Sequence, residues 1–295
     1  MSEPFADRLA ATVEDRRSQV VLGLDPDPSE LGAGGGDGPD YPPAEHAAGA
    51  VAAHCAELIE RAGPACVAVK LQLACFERLG APGWEAARSS VAAAHDAGLL
   101  AIADGKRGDV PVTAAAYGQA LVGETPTPWG PVEGLGADAF TANPLLGADA
   151  LEPLIDAAAQ AGAGIFLLVR TSNPGAADIL DLPAPDRPLH ERLAEIVAER
   201  ADRLAGTASG LSGLGAVVGA TEPAFLPRLR ELMPRAIFLL PGVGAQGGRP
   251  EDLAPAYGDH PASAIVAASR SIAGADDPAA AAESLRAQVW GLTGG

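Results

Sequence analysis

Short apolar runs alternate with longer amphipathic stretches along almost the whole chain. Each run is rich in Val, Ile, Leu and Ala and stops at polar or glycine residues, which is typical of strands buried on both faces. The stretches between the runs carry apolar residues at helical spacing, as Phe5, Leu9 and Val13 do in a predicted first helix over residues 4–19. The eight predicted strands are Val20–Leu24, Cys66–Val69, Ala101–Ala103, Ala137–Thr141, Ile165–Val169, Leu214–Val218, Ile237–Leu240 and Ala264–Ala267.

This alternation of strands and helices predicts the α/β class and, within it, a (β/α)8 TIM barrel. We expect a single domain over residues 1–295, because no second set of elements is left over. Two stretches near residues 26–43 and 122–136 carry no predicted element and are interpreted as loop insertions. In such barrels the chemistry lies at the C-terminal ends of the strands, so the residues after each apolar run are the candidates for a site.

Composition and charge exclude several classes of function. The chain is 48% hydrophobic and has a formal net charge of -18, so it can form a large core, but nucleic acid is not an expected partner. No apolar stretch reaches the length of a membrane span and the N-terminal residues lack the centre of a signal peptide, which predicts a cytoplasmic protein without a membrane partner. The three cysteines lack metal-site spacing and the histidines show no ligand spacing, so no metal site is predicted.

Charged residues are densest just after the third apolar run. Asp104 and Lys106 are two residues apart and share one face of an extended strand, and Asp109 follows on a turn marked by Gly108. The 20 basic residues include two lysines, Lys70 and Lys106, and both end predicted strands. Lysine, unlike arginine, can release a proton once its pKa is adjusted, so a proton-transfer role explains their retention. The alternative is that they only pair with acids at the rim of the core.

A glycine-rich segment follows the seventh strand. The pattern G-x-G-x-x-G at residues 242–247 matches a dinucleotide-binding motif, but no βαβ nucleotide unit precedes it, and phosphate binding by its backbone N–H groups explains the glycines better. Arg270, just after the eighth strand, is the candidate cation for that phosphate, with capping of a carbonyl as the alternative. Asp25 and Ser172 also follow strands, where their alternative role is to form turns.

Together these residues resemble the orotidine 5′-phosphate decarboxylase family. The Asp-x-Lys-x-x-Asp motif of that family is present at residues 104–109 as Asp-Gly-Lys-Arg-Gly-Asp, and Thr113 follows it. The resemblance covers nearly the whole chain and is strongest to the longer bacterial and archaeal branch. The other segments that carry it are 24–26, 69–72, 170–175, 241–248 and 269–270.

The resemblance implies decarboxylation of orotidine 5′-monophosphate to uridine 5′-monophosphate in pyrimidine biosynthesis, without a metal or an organic cofactor. It implies that Lys106 protonates C6 of the pyrimidine, flanked by Asp104 and by Asp109 of the partner subunit in a homodimer. Thr113 is expected to cross the same interface. Lys70 is counted with these catalytic residues, and it is implied to bind the ribose together with Asp25. The remaining implied substrate-binding residues are Ser172 for the pyrimidine, and Gln246, Gly247 and Arg270 for the phosphate.

Two other functions share parts of this pattern. A magnesium-dependent sugar-phosphate decarboxylase or aldolase of the same superfamily would hold its ion with the same acidic motif. That function requires a glutamate among the early rim acids, whereas the second strand here ends in Lys70-Leu71-Gln72. A barrel that has lost its activity and serves as a binding protein would carry a decayed motif, whereas this motif is intact.

Overall fold

Eight parallel strands close into a barrel in the computed structural model, which describes residues 3–31, 42–244 and 246–293. The strands are β1 Val20–Leu24, β2 Ala68–Gln72, β3 Leu100–Arg107, β4 Ala139–Ala142, β5 Gly164–Arg170, β6 Ser212–Val218, β7 Ala236–Pro241 and β8 Ala264–Ala268. Each strand pairs with the strands before and after it in the chain, and β1 pairs with β8 to close the ring. The predicted (β/α)8 barrel is therefore confirmed.

Helices surround the strands and bury one face each against them. Helix Pro43–Ala62 shows the pattern, because its buried residues Val51, Cys55, Leu58 and Ile59 recur at helical spacing. Within the described ranges, no helix is both long and apolar enough to cross a membrane. The α-helices are Phe5–Arg16, Pro43–Ala62, Leu73–Glu77, Ala81–Asp96, Pro111–Leu121, Ala148–Ala161, Ala177–Leu180, Leu189–Glu199, Leu226–Leu232, Arg270–Ala273 and Pro278–Trp290.

Two strands extend further towards their C-terminal ends than the apolar runs indicated. Lys70 lies inside β2, and β3 continues to Arg107, so that Asp104 and Lys106 are strand residues. The apolar pattern ended the strand too early because charged side chains replace apolar ones where the barrel opens to the site. Backbone pairing continues there, since Gln72 of β2 is in register with Asp104.

Stretches for which the sequence predicted no strand or helix contain more structure than expected. Residues 73–77 form helix Leu73–Glu77, because Leu73 and Phe76 lie on one helical face and are both buried. The predicted insertion at 26–43 falls largely on residues 32–41, which lie outside the described residues.

The predicted insertion at 122–136 contains a short antiparallel pair of segments, Glu124–Thr125 and Val132–Glu133. Trp129 lies in the connection between them and is 93% exposed. The hairpin lies beside helix Ala81–Asp96, since the guanidinium of Arg88 donates to the carbonyl of Gly134 at 3.1 Å.

The first helix closes the N-terminal end of the barrel. Phe5, Leu9 and Val13 of helix Phe5–Arg16 are buried among residues that point into the barrel. The ring of Phe5 packs edge-on against Phe166 of β5, with ring centroids 5.9 Å apart. With this end filled by apolar side chains, the C-terminal end is the one left for a polar cavity.

Asp7 attaches this helix to the segment that precedes β6. Its carboxylate accepts hydrogen bonds from the N–H groups of Thr207 and Ser209, both at 2.8 Å, and from the hydroxyl of Ser209 at 2.7 Å. Burial alone raises the pKa of Asp7, but the hydrogen bonds from Ser209 and the adjacent N–H groups lower it to about 2. The carboxylate is therefore ionised at neutral pH and fully used in holding the two segments together.

Candidate active site

The C-terminal ends of the strands surround a cavity of about 480 Å³. Apolar side chains of Leu168, Val217 and Leu239 contribute to its lining, and polar side chains from the strand ends and loops contribute the rest. This combination of apolar surface with a few convergent polar groups is typical of a small-molecule site. The predicted site residues that line the cavity are Asp25, Lys70, Asp104, Lys106, Ser172, Gln246 and Arg270.

Asp104 lies at the centre of an alternating chain of charges. The ammonium of Lys70 donates to its Oδ2 at 2.8 Å, and the ammonium of Lys106 donates to its Oδ1 at 2.7 Å. On the far side of Lys70, the distance from its Nζ to Oδ1 of Asp25 is 3.9 Å. The adjacent strands β1, β2 and β3 supply these residues, and their parallel pairing places the C-terminal ends side by side.

Burial and ion pairing together determine the charge states of Asp104 and Lys70. The side chains of Lys70 and Asp104 are 7% and 8% exposed, whereas that of Lys106 is 42% exposed. Burial alone raises the pKa of Asp104, but the ammonium groups of Lys70 and Lys106 hold it well below its usual range. Burial likewise lowers the pKa of Lys70, but Asp104 and Asp25 outweigh that effect and raise it. Lys106 is thus the more exposed cation bound to the buried Lys70–Asp104 pair.

Thr141 of β4 connects the carboxylate to the backbone of the lysine. Its hydroxyl donates to Oδ1 of Asp104 at 2.8 Å and accepts from the backbone N–H of Lys106 at 2.9 Å. The residue is 1% exposed, so water does not compete for these bonds. Lys106 itself has a φ of 49°, the left-handed conformation that is uncommon for residues other than glycine.

Loops after β5, β6 and β7 meet on the opposite side of the cavity. The hydroxyl of Ser172 donates to Oε1 of Gln246 at 3.0 Å, and the hydroxyl of Thr221 donates to the carbonyl of Ser172 at 3.0 Å. Gly242 makes this approach possible, because it has a φ of 101° and an added Cβ would lie 3.2 Å from Cβ of Ser172. Polar groups from separate loops are therefore held together beside the cavity.

Arg270 is an unneutralised cation at the cavity wall. It is exposed at the start of helix Arg270–Ala273, and no carboxylate among residues 3–31, 42–244 and 246–293 lies within ion-pair distance of it. In a chain where 38 acidic residues face 20 basic ones, a free guanidinium beside a cavity is a suitable ligand for an anion.

Three predicted site residues do not line the cavity of their own chain. Asp109 lies outside it, where its Oδ1 accepts from the N–H of Val110 at 2.7 Å. Thr113 is exposed on helix Pro111–Leu121, and Gly247 is exposed in the loop after β7 with a φ of 93°. The single chain thus brings the other predicted residues together and leaves these three at its periphery.

Residues 18–285 match the family described as orotidine 5′-phosphate decarboxylase / HUMPS family. The chain belongs to this family. A protein from Rhodopirellula baltica named orotidine 5′-phosphate decarboxylase is 39% identical over 272 residues, which cover 91% of this chain and 87% of that protein. A protein of the same name from Deinococcus radiodurans is 37% identical over 299 residues and covers both chains completely, at 100% each.

Solved structures agree with this membership of the decarboxylase family. The structure of Leishmania donovani OMP decarboxylase superposes with a TM-score of 0.76 at 31% identity, covering 99% of this chain and 100% of that one. The structure of Leishmania donovani UMP synthase gives a TM-score of 0.78 at 32% identity, covering 99% of this chain and 57% of that one. The similarity therefore extends over the whole barrel.

Sequence reasoning about this decarboxylase-family barrel did not single out several residues of the cavity. Gln72, Thr171 and Asn173 line it, and Thr141 contacts both Asp104 and Lys106. The available signal was weak, because each is a neutral polar residue at a strand end, where turn formation is an equally good explanation. The hydrogen bonds of its hydroxyl in the folded structure show that Thr141 faces Asp104 and Lys106.

Proposed function

We propose that the chain decarboxylates orotidine 5′-monophosphate to uridine 5′-monophosphate in the cavity, with Lys106 as the proton donor. The decarboxylase activity follows from the family and from curated relatives of that name that cover nine-tenths or more of the chain. The assignment of the site rests on one observation above all, the Lys70–Asp104–Lys106 chain with its exposed ammonium at the cavity.

The proposed step breaks the bond between C6 and the carboxylate carbon. Carbon dioxide leaves, the electron pair stays on C6, and the ammonium of Lys106 gives a proton to that carbon; solvent then reprotonates the amine. Lys106 is suited to this step because it is the exposed end of the charged chain, while Lys70 holds the other oxygen of Asp104. A cation placed where negative charge develops stabilises the transition state more than the ground state.

Asp104 contributes by its fixed negative charge. Its pKa is held well below the usual range, so it stays ionised when a substrate carboxylate is bound nearby. Two like charges about 4 Å apart repel by roughly 4 kcal/mol at an effective dielectric constant of about 20. This repulsion is relieved when carbon dioxide leaves, and Lys106 then faces the new charge on C6.

The remaining side chains fit the other parts of a nucleotide. Lys70 and Asp25 are proposed to bind ribose hydroxyls, since the two groups are 3.9 Å apart at the cavity wall. Ser172 is proposed to contact the pyrimidine from the loop after β5. The proposed phosphate ligands are Gln246, Gly247 and Arg270, of which the exposed arginine without an ion-pair partner among the described residues is the strongest anion ligand.

A homodimer would explain the position of Asp109 and Thr113. Neither lines the cavity of its own chain, so we propose that each completes the site of the partner subunit. Exposed apolar residues on the same segment support this, since Val110 is 57% and Val112 86% exposed. Apolar side chains that flank polar ones at a rim are typical of a subunit interface.

The proposal is tested by incubating chelator-treated protein with orotidine 5′-monophosphate and following the loss of its absorbance and the formation of uridine 5′-monophosphate. We expect turnover without added metal, because the oxygens of Asp104 are already bonded to two ammonium groups and a hydroxyl instead of being free for a hard cation. Magnesium-dependent turnover of a sugar phosphate, with no action on orotidine 5′-monophosphate, would replace this proposal with the alternative function.

A further inference from the structure

We propose that Thr141 is a positioning residue, whose single hydroxyl holds the carboxylate of Asp104 and the backbone of Lys106 in their reactive arrangement. This inference rests on the proposed roles of Asp104 and Lys106. Thr141 lines the cavity, but we give it no chemical step of its own, since its neutral hydroxyl carries no charge and is not the proposed proton donor.

The first observation is an irregularity in β3 beside Thr141. Ala103 is in register with Phe140 of β4, and the next paired residues are Arg107 and Ala142. Four steps along β3 thus correspond to two along β4, so β3 bulges over the segment that carries the catalytic pair. Bulges re-aim side chains and leave backbone groups without their ladder partners.

The second observation is that a side chain of β4 accepts a hydrogen bond from a backbone N–H in the bulged part of β3. The backbone N–H of Lys106 donates to the hydroxyl oxygen of Thr141 at 2.9 Å, in place of a carbonyl of β4. Lys106 has a φ of 49° at this point, a conformation that is strained for an L-amino acid. Glycine would adopt it freely, but glycine has no ammonium, so the side chain of Thr141 stabilises the backbone instead.

The third observation is that the hydroxyl has only one proton to give. Because its oxygen accepts from Lys106, its proton is directed to Oδ1 of Asp104, which it reaches at 2.8 Å. The ammonium of Lys106 donates to the same oxygen at 2.7 Å. The buried hydroxyl of Thr141 therefore joins the backbone of Lys106 to the same carboxylate oxygen that the ammonium of Lys106 contacts.

Thr141 is itself firmly anchored. β4 pairs with β5 in unbroken register from Ala139 to Ala142, and Thr141 is opposite Phe166. A reactive group held by a rigid neighbour keeps its geometry to within fractions of an ångström, which is the condition for efficient catalysis. The bulged strand is thus held by the regular one.

The test uses the full-length Thr141→Val, Thr141→Ala and Thr141→Ser variants. Valine keeps the shape of threonine and removes the hydroxyl, whereas serine keeps the hydroxyl. We expect Thr141→Val to lower kcat for orotidine 5′-monophosphate about tenfold to a hundredfold while KM changes less than about threefold, because the loss is of transition-state geometry. Thr141→Ser is expected to restore kcat to within about threefold of wild type.

Ser212→Ala is the matched control. Ser212 is also a buried hydroxyl on a barrel strand, donating to the carbonyl of Ala201 at 2.7 Å and accepting from the N–H of Leu214 at 3.1 Å, but at the N-terminal end. The Ser212→Ala substitution should lower the melting temperature of the protein and leave kcat unchanged. A Thr141→Val protein with kcat near wild type would overturn the inference, as would an equal loss in the serine variant.

Further outcomes distinguish an effect on folding from an effect on catalysis, and the positioning role from the proposed function. If Thr141→Val is insoluble, Thr141→Ala is judged by the same kinetic criteria, and failure of both to fold would show a structural role and overturn the inference. Wild-type protein that does not act on orotidine 5′-monophosphate would reject the proposed function itself. A wild-type enzyme whose kcat does not depend on Thr141 would reject only the positioning role.

Discussion

At the scale of single residues, the most informative feature is that both carboxylate oxygens of Asp104 are hydrogen-bonded to groups of the protein itself. Two ammonium groups and one hydroxyl occupy its oxygens at 2.7–2.8 Å. A charge that is already oriented needs no reorganisation when the reaction begins, and such preorganised groups contribute most to electrostatic catalysis. We therefore expect replacement of Lys106 and replacement of Lys70 to affect catalysis to different extents.

Lys106→Arg keeps the positive charge beside Asp104 but removes the proposed proton donor. Guanidinium does not release a proton at neutral pH, and its planar fork does not occupy the position of an ammonium. Lys70→Arg must fit a larger group into a position that is 7% exposed, but leaves the donor in place. We expect kcat/KM to decrease from wild type to Lys70→Arg to Lys106→Arg, with the last reduced by at least about 10³.

Arg192→Lys is a suitable control for these exchanges, since Arg192 pairs with Glu195 and Glu199 on the exposed face of helix Leu189–Glu199. It should leave kcat/KM unchanged. Folded Lys106→Arg protein that retained more than about a tenth of the wild-type value would show that Lys106 is not the proton donor.

Arg270→Ala tests the proposed phosphate-binding end of the cavity. Binding energy from a part of the substrate that does not react is partly expressed at the reacting centre, so KM should rise and kcat should fall together. The expected loss in kcat/KM corresponds to about 2–5 kcal/mol for a charge-assisted pair that becomes desolvated. Steady-state kinetics measure this loss, with Arg192→Ala as the control variant. A decrease in kcat/KM of less than about tenfold would mean that another group binds the phosphate.

At the scale of elements, the helix that closes the bottom of the barrel depends on one buried carboxylate. Because the pKa of Asp7 is lowered from 3.8 to about 2, its ionised form stabilises the folded state, by about 2 kcal/mol. That contribution is complete above about pH 4 and is lost as the pH falls through about 2. Asp7 should therefore hold helix Phe5–Arg16 to the segment at Thr207 until the pH falls towards 2, below the range in which carboxylates of ordinary pKa are protonated.

Asp7→Asn is expected to lower the free energy of unfolding at pH 7 by about 2 kcal/mol, and the difference from wild type should shrink as the pH is reduced from about 4 towards 2. Urea unfolding over this pH range measures both effects. Asp15→Asn, on the exposed face of the same helix, is the control that should change little. An Asp7→Asn difference that stays constant with pH would refute the electrostatic explanation.

The elements also show how far sequence reasoning reaches. Apolar runs predicted eight strands because buried parallel strands need apolar residues on both faces, and the barrel confirms this. The bulge in β3 had no signature in sequence, because the positive φ of Lys106 occurs at a residue type that rarely adopts it. The helix Leu73–Glu77 was missed because five residues are too short for a helical period to be recognised.

In the candidate site, too, some residues could be predicted from the sequence and others could not. The charged residues were predicted because charge directly after an apolar run is rare without a functional reason. Thr141 was not, since its importance comes from the register between two strands. Asp109 and Thr113 were assigned to the site by resemblance, and one chain alone leaves both outside its cavity.

At the scale of the whole molecule, the proposed dimer predicts that two inactive variants complement each other. Lys106→Ala and Asp109→Ala should each be inactive alone, because every site then lacks one group. In hybrids formed by co-expression, one of the two sites combines Lys106 with a partner's Asp109. Random pairing should therefore restore about one quarter of wild-type activity.

Titration of kcat against the ratio of the two variants measures this recovery, with Lys106→Ala mixed with Lys106→Ala/Asp109→Ala as the control that should stay inactive. Size-exclusion chromatography establishes that dimers are present in each mixture. Folded dimers that show no recovery would place Asp109 in the site of its own subunit, or outside the site altogether.

The closure of the barrel by β1 and β8 has a consequence for how the molecule is made. Asp25 follows the first strand and Arg270 follows the last, so the two ends of one cavity come from opposite ends of the chain. Pairing of such distant segments is slow, and a chain still lacking β8 exposes the unpaired edges of β1 and β7. During synthesis the protein thus passes through an interval in which the proposed phosphate site is incomplete and unpaired sheet edges, which favour aggregation, are exposed.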